Sequence, residues 1–508
     1  MIMVTETQAA ISTPALRSGW QRHPALSWPL VIAVLACVLL LRDRLNLLGD
    51  PDTYLHIAAG RWMIAHHALP MHDPFSHSMP GAVWIPHEWL AELVLASVYD
   101  WFGWPAVALL AMLCFAASLA LLTRRLLAYF EPFSALILVA ASGALLLPHL
   151  LARPHVLAFP PLVAWCAGLI SARDRNRGPP YWLLPVMVLW ANLHGSFMFG
   201  LCLAAYLGAE AVLDGTSWSE RRVALRQWGG FVALAALAAL CTPNGLSGLL
   251  LPLRIVTMPA LQGSFGEWLG PDIQHDHPLE LWLLGALGVG LVLRPKLPLT
   301  RLLLLLGLFH MALSHARYED LVALVAPLAI AQSFGPEIAA RVRVASPSAL
   351  ARWFAAWAQP ARGSGLALGV AAFVAISGTT LLWPLPRPDG PATPGSALDA
   401  VARLRLSGPV FNSEVFGGYL IFRRVPTFID GRIEMYGDAF LSRYLDAAGG
   451  KKSVLTGLLD QYGITWTLLR PTDGAVEVLD HLPGWRRVYA DRYAVIHARQ
   501  PAPDRAPG

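Results

Sequence analysis

The chain has 508 residues, of which 56 % are hydrophobic and only 14 % charged, with a mean hydropathy of +0.50. A soluble protein of this size carries about a quarter of its residues as charges, so the composition excludes an ordinary soluble enzyme and favours a membrane protein. The net charge of +5 takes its meaning from where the arginines fall, and no nucleic-acid partner is expected. The five cysteines (Cys37, Cys114, Cys166, Cys202, Cys241) lie in apolar runs without CxxC or His/Cys spacing. They read as small buried hydrophobes.

Residues 1–25 read as a cytoplasmic N-terminal segment. Apolar stretches then recur near 28–47, 104–123, 133–151, 155–172, 181–193, 196–213, 228–242, 280–293, 301–315, 319–335 and 365–385. These are eleven candidate helices, several shorter than the ~20 residues of a perpendicular span. The first is expected to continue through Arg42–Leu48. With the N-terminus inside, the cytoplasmic connections carry Arg124/Arg125, Arg173/Arg175/Arg177, Arg221/Arg222/Arg226, Arg294/Lys296/Arg301 and Arg341/Arg343/Arg352. Those on the other side (48–103, 152–154, 194–195, 243–279, 316–318) are long or poor in basic residues, so the positive-inside rule assigns every loop consistently.

The expected architecture is an α-helical polytopic membrane domain over 26–385, with a small C-terminal α/β extracytoplasmic domain. The first outer loop, 48–103, should carry two interfacial helices. A Pro-rich linker covers 386–395, the α/β domain 396–500 and a disordered tail 501–508. Strands are expected at Val410-Phe411, Tyr419–Phe422, Thr427–Ile429, Ile464–Leu469 and Tyr493–His497, with helices near 396–406, 438–447 and 452–462.

Polar residues inside or just above such a bundle are functional candidates. The first outer loop opens Asp50-Pro51-Asp52-Thr53-Tyr54-Leu55-His56. Asp50 suits an N-cap and Pro51 the first helical position. Asp52 and His56 are four apart and share a helix face. His87-Glu88 suggests HExxH zinc chemistry, but Ala91 stands where the second histidine is required. Arg153, His155, Asn192, His194 and Arg317 lie at the outer ends of later helices. Glu267 and Asp272 are further polar groups on this side. Arg153 and Arg317 run against the positive-inside trend, so each either pairs with an outer-loop acid or meets a phosphate. His275-Asp276-His277 is either a metal candidate or a solvated loop. Asp430-Gly431-Arg432, with Glu434 and Tyr436, is either a tight turn with a local ion pair or an acceptor contact. No Walker A or GxGxxG pattern occurs.

The stretch Asp50–Trp89 (DPDTYLHIAAGRWMI…ALPMHDPFS…WIPHEWL) resembles a bacterial group of membrane proteins like the GT-C superfamily, glycosyltransferases that use polyprenyl-phosphate sugars. The tail pattern GPVFNSEVFGGYLIF…PTFIDGRIEMYG is similar to the outer C-terminal domain of the same group. The resemblance implies a GT-C fold in the bacterial inner membrane and a periplasmic C-terminal domain. It also implies sugar transfer from a polyprenyl-phosphate donor to an envelope glycan, lipid or protein. Asp52 or Asp50 would then be the base, and Arg153 and Arg317 the phosphate clamp. His56, His87, Glu88, His155, Asn192 and His194 would line the pocket. A lipid-phosphate donor with two arginines requires no cofactor, although a divalent metal could be accommodated. The departure is Thr53, which follows Asp52 where many superfamily members have a second acid. A flippase of lipid-linked saccharide and a non-catalytic scaffold are the alternatives.

Overall fold

The computed structural model describes residues 26–262, 266–274, 277–341, 349–361 and 363–500. Among these, five helices are long and apolar enough to cross a membrane: Trp89–Leu126, Pro132–His149, Pro154–Asp174, Ala316–Arg341 and Ser364–Leu382. Shorter apolar helices, including Trp28–Leu40, Leu183–Leu193, Phe197–Leu213, Pro278–Leu293 and Leu299–Ser314, pack with them. The chain is therefore a multi-pass membrane protein. Local signals set several helix starts. Glu131, for example, caps Pro132–Leu146 by accepting from the backbone N–H groups of Phe133 (2.9 Å) and Ser134 (2.6 Å).

Some elements differ from expectation. The first helix stops at Leu40 and a short one, Arg44–Leu47, follows. Arg44 turns inward there, donating to Leu41 O (3.1 Å) and Thr380 O (3.3 Å) while lying 5.1 Å from the Trp383 ring. A helix over Gly245–Val256 occupies part of the expected 243–279 connection. Cys202 and Cys241 are exposed on the outside of the bundle, unlike buried Cys37 and Cys166. In a bilayer that outer face is apolar too, so hydrophobicity alone does not place a residue inside.

Two helices of the first loop position the site. Asp52–His66 lies against the start of Trp89–Leu126, whose backbone departs from helical geometry at Gly103. At the crossing, a Cβ on Gly60 would drive into the Glu92 carbonyl and the Ala96 side chain. That close approach is what lets His56 face Glu92. Gly60→Val is expected to destabilise the fold by about 1–3 kcal/mol through overpacking, read as a lower melting temperature in detergent.

At the far end of Pro154–Asp174, about 30 Å away by helix rise, a buried charge cluster ties the bundle. Arg301 bonds Asp174 (3.1 Å) and Glu210 (3.1 Å), and Arg173 bonds Glu210 (3.1 Å). Arg173 and Arg301, expected in loops, are thus paired and buried.

The C-terminal part carries a four-stranded sheet: β1 (Val410–Asn412), β2 (Trp466–Leu468), β3 (Trp485–Ala490) and β4 (Val495–Arg499), in the order β1-β2-β4-β3. β1 runs parallel to β2 and the other pairs are antiparallel. Gly395–Arg403, Ile433–Ala448, Lys452–Gln461 and Gly474–Asp480 are helical. Tyr419–Phe422, expected as a strand, belongs to the helix Gly417–Phe422. Thr427–Ile429 forms no strand of the sheet and makes a single bridge, Thr427 to Ser76. This part seats directly on the first loop. Thr427 N donates to Phe75 O (3.2 Å), and His77 N donates to Thr427 O (2.9 Å). Tyr54 stacks edge-on to Tyr419 at 5.1 Å.

Candidate active site

The Asp52–His66 helix begins as the Asp-Pro-Asp motif dictates. Asp50 Oδ1 accepts the backbone N–H of Asp52 at 2.7 Å, which satisfies one of the orphan donors at the helix start. Its other oxygen pairs with Arg153 at 3.2 Å, and Asp52 Oδ2 accepts from the same guanidinium at 2.7 Å. Arg153 precedes the Pro154–Asp174 helix, so the chain delivers its cation from a different element. A third carboxylate, Glu267, bonds Arg153 at 3.2 Å and Arg317 at 3.4 Å. Arg317 also lies 4.2 Å above the Trp268 ring. Both arginines thus pair with an outer-loop acid.

One turn along the same helix face, His56 Nδ1 meets Glu92 Oε1 at 3.2 Å, and its Nε2 faces Glu88 at 3.8 Å. Glu88 is also approached by His87 Nε2 (3.8 Å) and His194 Nε2 (3.4 Å). His194 is oriented through Nδ1 by the Ser196 hydroxyl at 2.8 Å. Glu92 Oε2 is buried without a hydrogen-bond partner among the described residues.

Several of these groups line a small cavity of about 80 Å³, whereas Asp50, His194, Glu267 and Arg317 stand behind its walls. The membrane part contributes Asp52, His56, His87, Glu88, Glu92 and Arg153, and the C-terminal part Gly431, Arg432 and Glu434. Gly431 lies close to the carboxylate: a Cβ there would strike Asp52 Oδ1 and displace that side chain. A larger groove of about 680 Å³ is apolar, lined by Leu30, Ala33, Leu113, Ala116, Leu366 and Phe373, and holds none of this chemistry.

Burial raises the Asp52 carboxyl to about 6 even though Arg153 pulls it down. Burial likewise opposes ionisation of Glu267, but Arg153 and Arg317 outweigh it and hold that carboxyl at about 2. Burial pushes His194 well below the ordinary imidazole range, which keeps it neutral. For His56 burial acts the same way, yet the Glu92 hydrogen bond and the Glu88 charge win and raise it. In the C-terminal part, burial lifts Glu414 to about 8, helped by the nearby charge of Asp52.

Other candidates fall outside the cavity. Asn192 spends its amide on Trp89 (2.8 Å), Val188 O (2.7 Å) and Cys241 O (3.0 Å), a packing role. His155 Nε2 is turned to His149 O at 3.3 Å. Arg317 reaches the site through Glu267. His275 and Asp276 lie outside the described residues, and His277 pairs with Glu280 at 3.4 Å. Asp430, Arg432 and Tyr436 form a buried network with one another, while Arg432 also lines the cavity with Gly431 and Glu434. The expectation missed Glu92, whose four-residue spacing from Glu88 places both on one helix face.

A divalent metal would want the Asp50 and Asp52 carboxylates, but each gives an oxygen to Arg153. No group of three His, Cys, Asp or Glu side chains able to hold an ion occurs among the described residues. No chemical step is routed through a metal.

Helix bundle, first-loop helices and small terminal sheet together make a polytopic membrane protein, and comparison with solved structures shows which fold this is. No protein-family model and no curated protein matches the chain. Among solved structures, it is similar to the oligosaccharyltransferase of Archaeoglobus fulgidus in its apo form, with 12 % identity, TM-score 0.51, 87 % of this chain and 69 % of that one covered. The same archaeal protein, AglB, in complex with an inhibitory peptide and a dolichol-phosphate, matches at 11 % identity and TM-score 0.51, with the same coverage. ArnT from Cupriavidus metallidurans bound to undecaprenyl phosphate matches at 14 % identity and TM-score 0.46, over 92 % of this chain and 97 % of that one.

Proposed function

We propose that the protein is a membrane glycosyltransferase that moves a sugar from a polyprenyl-phosphate donor to an envelope glycan, lipid or protein. The observation that carries this is the meeting of Asp52 and Arg153 at 2.7 Å on one cavity, a base and a phosphate-binding cation brought from separate elements. The fold it shares with an archaeal oligosaccharyltransferase supports the class. The arginine distribution supports a bacterial inner-membrane protein with its N-terminus in the cytoplasm and residues 396–500 in the periplasm.

In this mechanism Asp52 takes the proton of the acceptor hydroxyl as its oxygen bonds to the anomeric carbon. The bond from that carbon to the phosphate oxygen breaks, and the polyprenyl phosphate leaves with the electron pair. Arg153 and Arg317 stabilise the growing charge on the phosphate. His56, His87 and Glu88 orient the sugars. Asp50 holds the helix start and Arg153 in register.

A deletion strain tests the proposal by mass spectrometry of its lipid-linked sugars and envelope glycans. Accumulation of one polyprenyl-phosphate sugar together with loss of one decoration is expected, and no change in either would overturn the transferase reading. With the Asp52 carboxyl at about 6, its ionised fraction grows as pH rises. Transfer should therefore climb through about pH 6 and level off above it. A rate that falls over that interval would remove Asp52 from the role of base.

A further inference from the structure

Arg153 and Arg317 come from sites more than a hundred residues apart, yet one carboxylate spans them. Glu267 gives one oxygen to each guanidinium, Oε2 to Arg153 and Oε1 to Arg317. Two oxygens of a phosphoryl group would engage two guanidiniums in the same way. The three carboxylates on Arg153 are not held equally. Asp50 is 8 % exposed and also bonded to the Asp52 backbone, and Asp52 is 18 % exposed. Glu267 is 39 % exposed and sits on a single turn, Gly266–Trp268. It is the carboxylate best placed to leave.

Charge counting points the same way. Three carboxylates already face two guanidiniums, so a phosphate added to this set would be a fourth anion against two cations. If a phosphodiester with one negative charge replaces Glu267, the balance is unchanged.

We infer that Glu267 is an internal stand-in for the donor phosphate, filling the anion position between Arg153 and Arg317 until a lipid phosphate exchanges with it. This rests on the donor class proposed above. The product, a polyprenyl phosphate monoester, carries more charge than the diester donor and would hold the arginines more tightly. Return of Glu267 to its place then helps expel it.

The test is titration of the purified full-length protein in nanodiscs with undecaprenyl phosphate, comparing wild type with Glu267→Gln and Glu267→Asp. Melting temperature and elution profile verify folding of each variant. The Gln variant removes the competing charge and should bind roughly tenfold tighter or more. Asp keeps the charge but is one methylene too short to bridge both arginines, so it should also bind more tightly than wild type. Tightening by Gln but not Asp would mean that Glu267 acts only through its charge, and would overturn the stand-in. Unchanged or weaker binding by a folded Gln variant would overturn it as well. If neither wild type nor variants bind undecaprenyl phosphate, the donor reading beneath it fails too.

Discussion

Asp52→Asn is expected to lower sugar transfer by about 10²–10⁴-fold, the usual contribution of a positioned general base, while leaving the fold and donor binding intact. The amide has the volume of the carboxyl and can still accept from Arg153. Arg153 also keeps Asp50 at 3.2 Å and Glu267 at 3.2 Å, so its position survives the loss of one partner. Asp52 is preferred over Asp50 because both oxygens of Asp50 are committed, one to the Asp52 backbone and one to Arg153. Asp52 engages Arg153 through Oδ2, and its Oδ1 packs close to Gly431. Asp50→Asn should therefore weaken the helix start and the Arg153 pairing, with a smaller loss of rate. The measurement is restoration of the missing decoration in the deletion strain, alongside undecaprenyl phosphate binding by the purified variants. A flippase or scaffold would keep most of its function with Asn at 52, so full complementation would sink the enzyme reading.

The parts of this site that follow local rules were legible in the sequence. Asp50-Pro51-Asp52 announces a helix start, and four-residue spacing puts Asp52 and His56 on one face. Arg153 and Arg317 stood out because they break a charge pattern. Which anion each arginine holds was not legible, because Glu267 lies 114 residues from Arg153 and only tertiary structure pairs them.

The terminal part shows the same limit. Tyr419–Phe422 is a four-residue apolar run, and periodicity cannot separate a strand from a buried helical turn at that length. Packing decides: Gly418 sits against the Pro51 carbonyl, so the Gly417–Phe422 helix docks on the start of the Asp52–His66 helix. β3 escaped notice because Arg486 and Arg487 interrupt its apolar pattern, as charges often do on an edge strand. Gly245–Val256 was hidden by Gly245, Gly248 and Pro252, residues that more often mark loops.

Arg432→Ala is expected to undock the terminal domain from the first loop, at a cost of about 3–5 kcal/mol, the range for breaking a buried ion pair from one side. Arg432 is 3 % exposed and donates to both oxygens of Asp430 at 2.7 Å and to Asp73 at 2.6 Å. Its guanidinium also lies 4.8 Å from the Trp84 ring. Removing it strands two buried carboxylates. Burial alone would raise Asp430, and Arg432 more than reverses that, so its loss removes what keeps Asp430 ionised. The effect should appear as faster proteolysis after Pro384 and greater hydrogen exchange at Thr427, whose backbone bonds Phe75 and His77. Transfer should fall with it, because Gly431 and Glu434 form one wall of the cavity. Binding of undecaprenyl phosphate should persist, since Arg153 and Arg317 both belong to the membrane part. Arg432→Lys restores a charge but not the two-oxygen grip on Asp430, and should recover only part of the docking. Unchanged proteolysis and exchange in the Ala variant would show that the domain is held by the Tyr54–Tyr419 face instead. Lost lipid binding would show that the anion site extends across the domain boundary.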